Sequence, residues 1–308
     1  MKKLVYIIVL SFNICSAQNA INNTGEFKEI HFTVRINLKF PADTSNLLQI
    51  EDFDSVFYDQ AVLMLPKTYS ETGKPVRLVY CAHGAGGGVS NDSWYLASTL
   101  LDDSLLANGY AIFDVNGGPS VENMGGSWVV QSAFKAYEFI RQNYNVADKI
   151  FVSGFSMGGL SSANFVYKHS NIVLAHGMFS AVIDLYNQAW KNPWYPTTRQ
   201  AIAHTFNFRD QSGKTWEAAK VKGWNPYLIN TFSNGSDTFK IYPVPVKIWH
   251  GTMDKMVQVQ YSRNFQKYIQ NAGGYCELRE LDSNNHGLSG GSPYMNHELI
   301  LFFKRFDY

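Results

Sequence analysis

The feature that most constrains the fold of this chain is a repeated unit, in which a short apolar run is followed by a glycine-rich turn or a helical pattern. The runs are "RLVYCAHGAGGG", "GYAIFDVNGG", "KIFVSGFSMGG", "IVLAHGMFSAVI", "VPVKIWHG" and "YCELRELD". Continuous apolar runs of this length are typical of strands that are buried on both faces. Strands that alternate with helices form parallel βαβ units. The sequence therefore predicts an α/β protein with a largely parallel sheet between layers of helices.

The segment before these units has a different pattern. "EFKEIHFTVRINLKF" and "VFYDQAVLMLP" show β-branched and aromatic residues in rough alternation, which predicts antiparallel strands. We expect a β-rich N-terminal extension over residues 18–54 and a main domain over residues 55–308. Two roles stay open for the extension: extra strands of the domain, or a segment that packs on its surface.

The first 17 residues have the layout of a secretory signal peptide. Two lysines precede eleven apolar-biased residues, and Cys15-Ser16-Ala17 has the small side chains of a cleavage site. Eleven residues are too few to span a bilayer. We therefore expect export, a secreted or periplasmic mature chain that begins near Gln18, and no integral membrane segment in that mature chain. A lipid anchor on Cys15 is the less favoured alternative, because Ile14 stands where a small residue is expected.

Charge and motif content exclude several kinds of partner. The 26 basic and 25 acidic residues nearly cancel and form no long runs, so no strong field attracts nucleic acid or an anionic membrane surface. The sequence contains no C-x-x-C and no H-E-x-x-H pattern, so a zinc site has little support. Cys81 and Cys276 each lie in an apolar run, and we expect two unpaired core cysteines rather than a disulfide.

One interval, residues 184–242, interrupts the alternation of strands and helices. It contains four of the seven tryptophans, and we interpret it as a cap over one end of the sheet. Aromatic side chains in a cap contact a substrate or fill the core of the insertion itself, and both alternatives stay open. The candidates for substrate contacts are Trp190, Trp194, Tyr195 and Trp224.

Ser156 is the candidate nucleophile. It lies in "GFSMGG", after the apolar strand pattern of residues 149–152 and before a helical pattern that begins near Met157. A strand, a sharp turn and a helix are the context that a nucleophile elbow requires, and the turn leaves no room for side chains at Gly154 and Gly158. The G-x-S-x-G string alone is also common in ordinary turns. The strand and helix on either side favour the nucleophile.

A serine nucleophile needs a base, and the base needs an orienting acid. Asp254 follows "VPVKIWHG" and His286 follows "YCELRELD", so each lies just beyond a predicted strand. The carboxyl ends of parallel strands share one edge of the sheet, where ligands bind. We therefore expect Ser156, Asp254 and His286 to form a catalytic triad.

Each partner has competitors in the sequence. Asp184 and Asp282 are also carboxylates near strand ends, and Asp254 could instead cap a following helix. His250 ends a strand and is best interpreted as a packed residue, whereas His297 lies within the C-terminal helical pattern. Only a loop beyond the last strand can place an imidazole over the elbow, which favours His286.

Attack by serine on a carbonyl carbon creates an oxyanion, which requires preorganised N–H donors. The backbone N–H of Met157 is the first candidate, because it begins the elbow helix. The turn "HGAGGG" after "RLVYCA" supplies the second, with Ala85 favoured and Gly86 as the alternative. This glycine-rich turn lacks the lysine followed by serine or threonine that a phosphate-binding P-loop requires.

These motifs together resemble the α/β-hydrolase superfamily. "HGAGGG", "GFSMGG", "HGTMD" and "NNHG" carry the resemblance over residues 55–308. It is nearest to the branch of dienelactone hydrolases, prolyl-oligopeptidase catalytic domains, and secreted feruloyl and acetylxylan esterases. The resemblance implies a mostly parallel eight-stranded sheet flanked by helices, a triad of Ser156, Asp254 and His286, and no cofactor. The chain has serine where dienelactone hydrolases use cysteine, and it has no room for the propeller of full-length oligopeptidases.

The sequence thus predicts a secreted serine hydrolase of carboxylic esters. Export and the aromatic-rich insertion favour a carbohydrate-linked acetyl or feruloyl ester as the substrate. A small serine peptidase of the prolyl-oligopeptidase type is the alternative, because it shares the same set of residues. A hydrolase-fold binding protein without catalysis is a second alternative, although no member of the predicted triad is missing.

Overall fold

A computed structural model describes residues 21–23, 27–38, 55–89, 99–118, 122–191, 196–221, 223–224, 226, 242–282, 285–288 and 293–308. The predicted signal peptide, residues 1–17, lies outside this part of the chain. No helix among the described residues is long and apolar enough to cross a membrane.

Nine strands form one sheet in the described part of the chain. The sheet order is β1-β2-β3-β5-β4-β6-β7-β8-β9. The pairs among β1, β2, β3 and β5 are antiparallel, and the pairs from β5 to β9 are parallel. Strands β2 to β9 form the predicted eight-stranded, mostly parallel sheet, to which the three-residue β1 adds a ninth strand at one edge. The strands are β1 (Ile21–Asn23), β2 (Phe27–Leu38), β3 (Ser55–Pro66), β4 (Leu78–Ala82), β5 (Ala111–Val115), β6 (Ile150–Phe155), β7 (Val173–Phe179), β8 (Val246–Gly251) and β9 (Cys276–Leu281).

Helices cover both faces of the sheet, as the alternating pattern predicts. The helices are α1 (Thr99–Ala107), α2 (Ser127–Asn143), α3 (Met157–His169), α4 (Pro196–Thr205), α5 (Ala218–Val221), α6 (Val259–Asn271) and α7 (Pro293–Arg305). One hydrophobic core lies between the sheet and helices α2, α3 and α6. A second core lies between the opposite face and helices α1 and α7. The chain is therefore a three-layer α/β/α structure, and the predicted fold class is confirmed.

The N-terminal strands belong to the same sheet. Strand β2 pairs with β3 along all twelve of its residues, from Phe27 opposite Pro66 to Leu38 opposite Ser55. Phe32 of β2 stacks on Phe139 of α2 with ring centroids 4.5 Å apart. Of the two roles left open for the N-terminal extension, residues 27–38 thus have the first: they add a strand to the sheet.

Cys81 and Cys276 are both buried, and neither is part of a disulfide. Cys81 lies on β4 and Cys276 on β9, and strands β6, β7 and β8 lie between these two strands. With strands about 4.8 Å apart, the two cysteines are about 19 Å from each other. That separation is far beyond the Cα distance of about 6 Å that a disulfide allows.

Alanine at Ile36 tests whether β2 contributes to the stability of the domain. Ile36 is 1% exposed and lies in the core on the face of the sheet that α2 covers. Ile36→Ala should lower the free energy of unfolding by about 2–5 kcal/mol, because a buried side chain is lost and a cavity remains. The neighbouring Arg35 is exposed, so Arg35→Ala should change it by less than about 0.5 kcal/mol. Urea unfolding of both variants measures the difference; equal stability would mean that β2 adds little to the fold.

Candidate active site

Ser156 lies at the turn between β6 and α3, in a conformation that few non-glycine residues adopt. Its backbone angles are φ 54° and ψ −118°. Three backbone hydrogen bonds hold the strained residue: its N–H donates to Phe179 O at 2.9 Å, and its carbonyl accepts from Val182 N–H at 2.9 Å and from Gly159 N–H at 3.0 Å. A strained serine between a strand and a helix is the geometry of a nucleophile elbow. The elbow context predicted from the sequence is thus present.

The elbow requires glycine on both sides of the serine because the backbones nearly touch. A Cβ atom at Gly154 would lie 2.3 Å from Gly158 O, and one at Gly158 would lie 2.0 Å from Ala82 O. Real Cβ atoms do not approach backbone oxygens this closely. The two glycines therefore let the end of β6, the first turn of α3 and the end of β4 pack together.

The structure brings together the three residues that the sequence predicted as a triad. His286 Nε2 lies 2.9 Å from Ser156 Oγ, and His286 Nδ1 lies 2.7 Å from Asp254 Oδ2. The ring of His286 also packs on Phe155, with centroids 5.1 Å apart. This chain of hydrogen bonds can pass the serine proton to the imidazole and stabilise the imidazolium that results.

Asp254 is buried but fully hydrogen-bonded. Its Oδ1 accepts from the N–H groups of Met256 and Val257, both at 2.8 Å, and its Oδ2 faces His286. Burial by itself raises the pKa of Asp254, but hydrogen bonds from His250, His286 and Val257 outweigh it and hold the pKa below the ordinary 3.8. The carboxylate therefore stays ionised at neutral pH. Its contribution to stability is lost only as the pH falls below that ordinary value toward the lowered one.

The competing residues have other positions. Asp184 accepts hydrogen bonds from the backbone and side chain of Asn187 rather than from His286. Asp282 is exposed, and His297 is exposed on α7. His250 is fully buried, as expected of a packed residue, but its Nε2 also lies 3.3 Å from Asp254 Oδ2. This contact is not predicted from the sequence, whose only signal for it is the spacing of four residues between His250 and Asp254.

The loop after β4 lies against the start of α3, where the predicted oxyanion donors are. His83 anchors this loop: its backbone N–H and its Nδ1 lie 3.2 and 2.8 Å from Asp114 Oδ2. Burial lowers the pKa of His83, but the negative charge of Asp114 outweighs burial and leaves the pKa raised. Ala85 and Gly86 are the exposed residues of the following turn, in which Gly87 N–H donates to Gly84 O at 3.1 Å.

Met157 is the first residue of α3, so its N–H has no partner within the helix. A donor that the helix itself does not use fits the role predicted for Met157 from the sequence. The roles of Met157, Ala85 and Gly86 as oxyanion donors stay predictions.

Several aromatic residues in the described part of the insertion pack on each other. The ring of Trp190 lies 4.9 Å from that of Trp216 and 6.1 Å from that of Tyr186, and the Arg199 guanidinium lies 5.6 Å from its centre. These rings pack on a third hydrophobic core, which includes Met157 and Leu160 of α3 and residues of α4. The arrangement favours the alternative in which the aromatic side chains fill a core of the insertion.

Two other predicted substrate contacts, Trp194 and Tyr195, lie outside the described residues. Trp224, the last of the four, lies against the far end of α3: Lys168 Nζ is 4.6 Å from its ring centre, and its carbonyl accepts from Asn164 Nδ2 at 2.7 Å. Lys168 is eleven residues beyond Met157, or about 16 Å along the helix. The structure therefore places Trp224 in a packing position away from Ser156.

An open groove of about 660 Å³ lies beside His286. The exposed side chains of Met253 and Met256 form much of its apolar surface. Flexible thioether side chains adapt to ligands of different shapes, and the volume is within the usual range for small-molecule sites. The groove is lined by Met253, Lys255, Met256, Asn285, His286 and Gly287.

Comparisons with known proteins show where this fold occurs. No family model and no curated protein matches the sequence. Among solved structures, the uncomplexed acylaminoacyl peptidase of Pyrococcus horikoshii has a TM-score of 0.64 at 15% identity, over 91% of this chain. An S-formylglutathione hydrolase from Agrobacterium tumefaciens has a TM-score of 0.61 at 13% identity and covers 94% of this chain. Est1E from Butyrivibrio proteoclasticus has a TM-score of 0.53 at 18% identity and covers 80% of it.

These similar structures differ in length. The chain spans 42% of the Pyrococcus peptidase, but 99% of the Agrobacterium hydrolase and 94% of Est1E. At identities this low, the likeness shows the fold alone, and the fold expected from the sequence motifs is confirmed.

The close approach at the elbow predicts a large effect of a single methyl group. Gly158→Ala should destabilise the chain by about 3 kcal/mol or force the elbow to open, because the added Cβ overlaps the carbonyls of Ala82 and His83. Gly287→Ala is the matched control, since its Cβ would meet only Asn285 Oδ1 at 3.7 Å. Thermal unfolding followed by circular dichroism compares the two. A Gly158→Ala variant as stable as wild type would contradict the described contact.

Proposed function

We propose that this chain, which has the α/β-hydrolase fold, is a serine hydrolase that cleaves carboxylic esters through an acyl-enzyme on Ser156. One observation carries the proposal: an unbroken line of hydrogen bonds runs from Asp254 through His286 to Ser156, with distances of 2.7 and 2.9 Å. The serine in that line has the strained backbone of a nucleophile elbow.

The proposed reaction has two halves. In the first, His286 Nε2 takes the proton of Ser156 Oγ while the oxygen attacks the ester carbonyl carbon. The oxyanion then collapses, the bond to the alcohol oxygen breaks, and His286 returns the proton to the departing alcohol. In the second half, water loses a proton to His286 and attacks the acyl-enzyme, which releases the carboxylic acid and restores the serine.

Asp254 orients the base in this scheme. Its Oδ2 accepts the Nδ1–H of His286, which leaves the lone pair of Nε2 directed at the serine. Because hydrogen bonds hold the pKa of Asp254 below its ordinary value, the acid remains ionised and offsets the positive charge that forms on the imidazole. The N–H of Met157 and that of Ala85 or Gly86 are the proposed donors to the oxyanion.

The proposed substrate is a carbohydrate-linked acetyl or feruloyl ester. The groove beside His286 supports it, because a volume of about 660 Å³ with apolar methionine walls suits an aromatic ring or a sugar-sized group. The export pattern of residues 1–17 is a second, independent support, since polysaccharides lie outside the cell. Because Trp190 and Trp224 pack against other protein side chains, we expect the substrate to contact this groove rather than these two tryptophans.

Peptide amides are the second candidate substrate class. The likeness to acylaminoacyl peptidase, with a TM-score of 0.64 over 91% of this chain, favours it. The same triad serves both reactions, and amide cleavage requires in addition efficient protonation of a poorer leaving group.

A substrate screen with matched variants tests the proposed activity. The purified chain should hydrolyse acetylated xylan, methyl ferulate or short aryl esters faster than peptide amides. Ser156→Ala should lower kcat by at least about a thousandfold, because it removes the nucleophile. Asp254→Asn should lower kcat by a similar factor, because it removes the acceptor that fixes the tautomer of the imidazole. Ser212→Ala, which changes an exposed serine of a turn, should act like wild type. Turnover of amides alone would favour the peptidase.

Covalent labelling separates an enzyme from a binding protein of the same fold. A fluorophosphonate should label the wild type and Ser212→Ala, but not Ser156→Ala. A folded wild type that resists the label, while Ser156→Ala binds a ligand normally, would support the non-catalytic alternative.

We also propose that the chain is exported. The mature N-terminus should lie near Gln18, because the small residues before it form the predicted cleavage site. Expression in a bacterial host, separation of periplasm and medium from cytoplasm, and N-terminal sequencing of the recovered chain measure this. A chain that keeps Met1 and remains in the cytoplasm contradicts export, and a lipid on Cys15 would identify the anchored form.

A further inference from the structure

His250 is a second histidine in contact with the triad aspartate. It lies near the end of β8, is fully buried, and is four residues before Asp254. Its Nε2 lies 2.8 Å from Val257 O and 3.3 Å from Asp254 Oδ2. Its Nδ1 lies 2.7 Å from Ser262 Oγ in the first turn of α6. Every polar atom of this buried ring therefore has a partner.

The partners assign the tautomer of His250. Both groups that face Nε2 are acceptors, a backbone carbonyl and a carboxylate, so Nε2 carries the proton. Nδ1 is then an acceptor, and the hydroxyl of Ser262 donates to it. The imidazole therefore donates its N–H to Val257 O at 2.8 Å, and Asp254 Oδ2, which also faces His286, lies 3.3 Å from the same nitrogen.

We infer that His250 is a positioning residue for the proposed hydrolysis. Its Nε2–H orients the carboxylate of Asp254 and offsets part of the negative charge that this carboxylate presents to His286. This inference rests on the proposed function. Five residues are then connected at the site: hydrogen bonds join Ser262 to His250, Asp254 to His286 and His286 to Ser156, and a 3.3 Å contact joins His250 to Asp254.

His250 also contacts the turn from Asp254 to Val257, which carries the acid. Val257 donates its N–H to Asp254 Oδ1 at 2.8 Å and accepts the N–H of His250 at its own carbonyl, also at 2.8 Å. His250 thus contacts both ends of the turn that carries the acid. Without its N–H, a buried carbonyl would lose its partner, and the carboxylate would keep one fewer donor.

Other charged groups lie near His250 and Asp254. Glu280 of β9 lies opposite His250 in the sheet register and is paired with Arg263 of α6. Lys255 lines the groove beside His286. Burial raises the pKa of Tyr261 in α6, and the negative charge of Asp184 raises it further. None of these groups changes when only residue 250 is replaced.

Two replacements of His250 with side chains of similar length distinguish the effect of its hydrogen bond from the effect of its packing. His250→Gln keeps an N–H donor at the end of the side chain, whereas His250→Met has similar length and no donor. We expect the Gln variant to keep kcat/KM for an aryl ester within about threefold of wild type, and the Met variant to lose roughly tenfold, mainly in kcat. In the Met variant the acid limb of the pH profile of kcat/KM should move to higher pH, because a carboxylate with one fewer donor holds the protonated imidazole of His286 more strongly.

Equal losses in the two variants with an unchanged acid limb would overturn the inference, since packing alone predicts that result. Wild-type activity and pH profile in the Met variant would overturn it as well. Thermal unfolding of both variants identifies a loss that comes from instability.

A measurement on the wild type covers the case in which His250→Met does not fold. A long-range ¹⁵N–¹H spectrum of the histidine-labelled chain should show His250 protonated at Nε2 and unprotonated at Nδ1. Protonation at Nδ1 alone would overturn the inference. This spectrum needs no turnover, and neither does the chemical shift of the His286 Nδ1–H in whichever of the two variants fold. An inactive wild type would thus contradict the proposed function, while the role of His250 would still be decided.

Discussion

The structure of the site depends on one close backbone approach, at the turn between β6 and α3. Gly154 and Gly158 leave so little space that an added Cβ would lie within about 2 Å of a backbone oxygen. This contact presses the first turn of α3 against the end of β4. As a result, the strained Ser156, the first residue of α3 and the loop after β4 lie together.

The rest of the site is built around one buried carboxylate. An ionised group away from water is costly unless hydrogen bonds replace its hydration. Asp254 meets this condition with two backbone N–H groups on one oxygen and two imidazoles facing the other. The same bonds that keep it charged also fix its direction, so that electrostatics and positioning have a common origin. They extend the site into β8, α6 and the turn between them.

The fold and the triad could be predicted because their signals are local. Each member of the triad follows an apolar strand, and parallel strands bring their carboxyl ends to one edge of the sheet. The role of the aromatic residues could not be predicted, because tryptophan rings contact a ligand or one another with the same sequence pattern. The structure places the ring of Trp190 on Trp216 and that of Trp224 near Lys168. His250 was correctly expected to be packed, but its contact with the acid depends on the shape of the following turn.

The sequence by itself determined the layers of the fold, the glycines around Ser156 and the expectation that Ser156, Asp254 and His286 meet at one edge of the sheet. These follow from the periodicity of buried strands and from the space that a turn leaves for side chains, both of which are properties of short segments. Only the tertiary structure decided that His250 also lies 3.3 Å from Asp254, that the rings of Trp190 and Trp216 pack on each other, and that Met253 and Met256 are among the described residues that line the groove beside His286. Most of these outcomes depend on distances between residues far apart in the chain, and such distances are set when the strands pair and the helices pack.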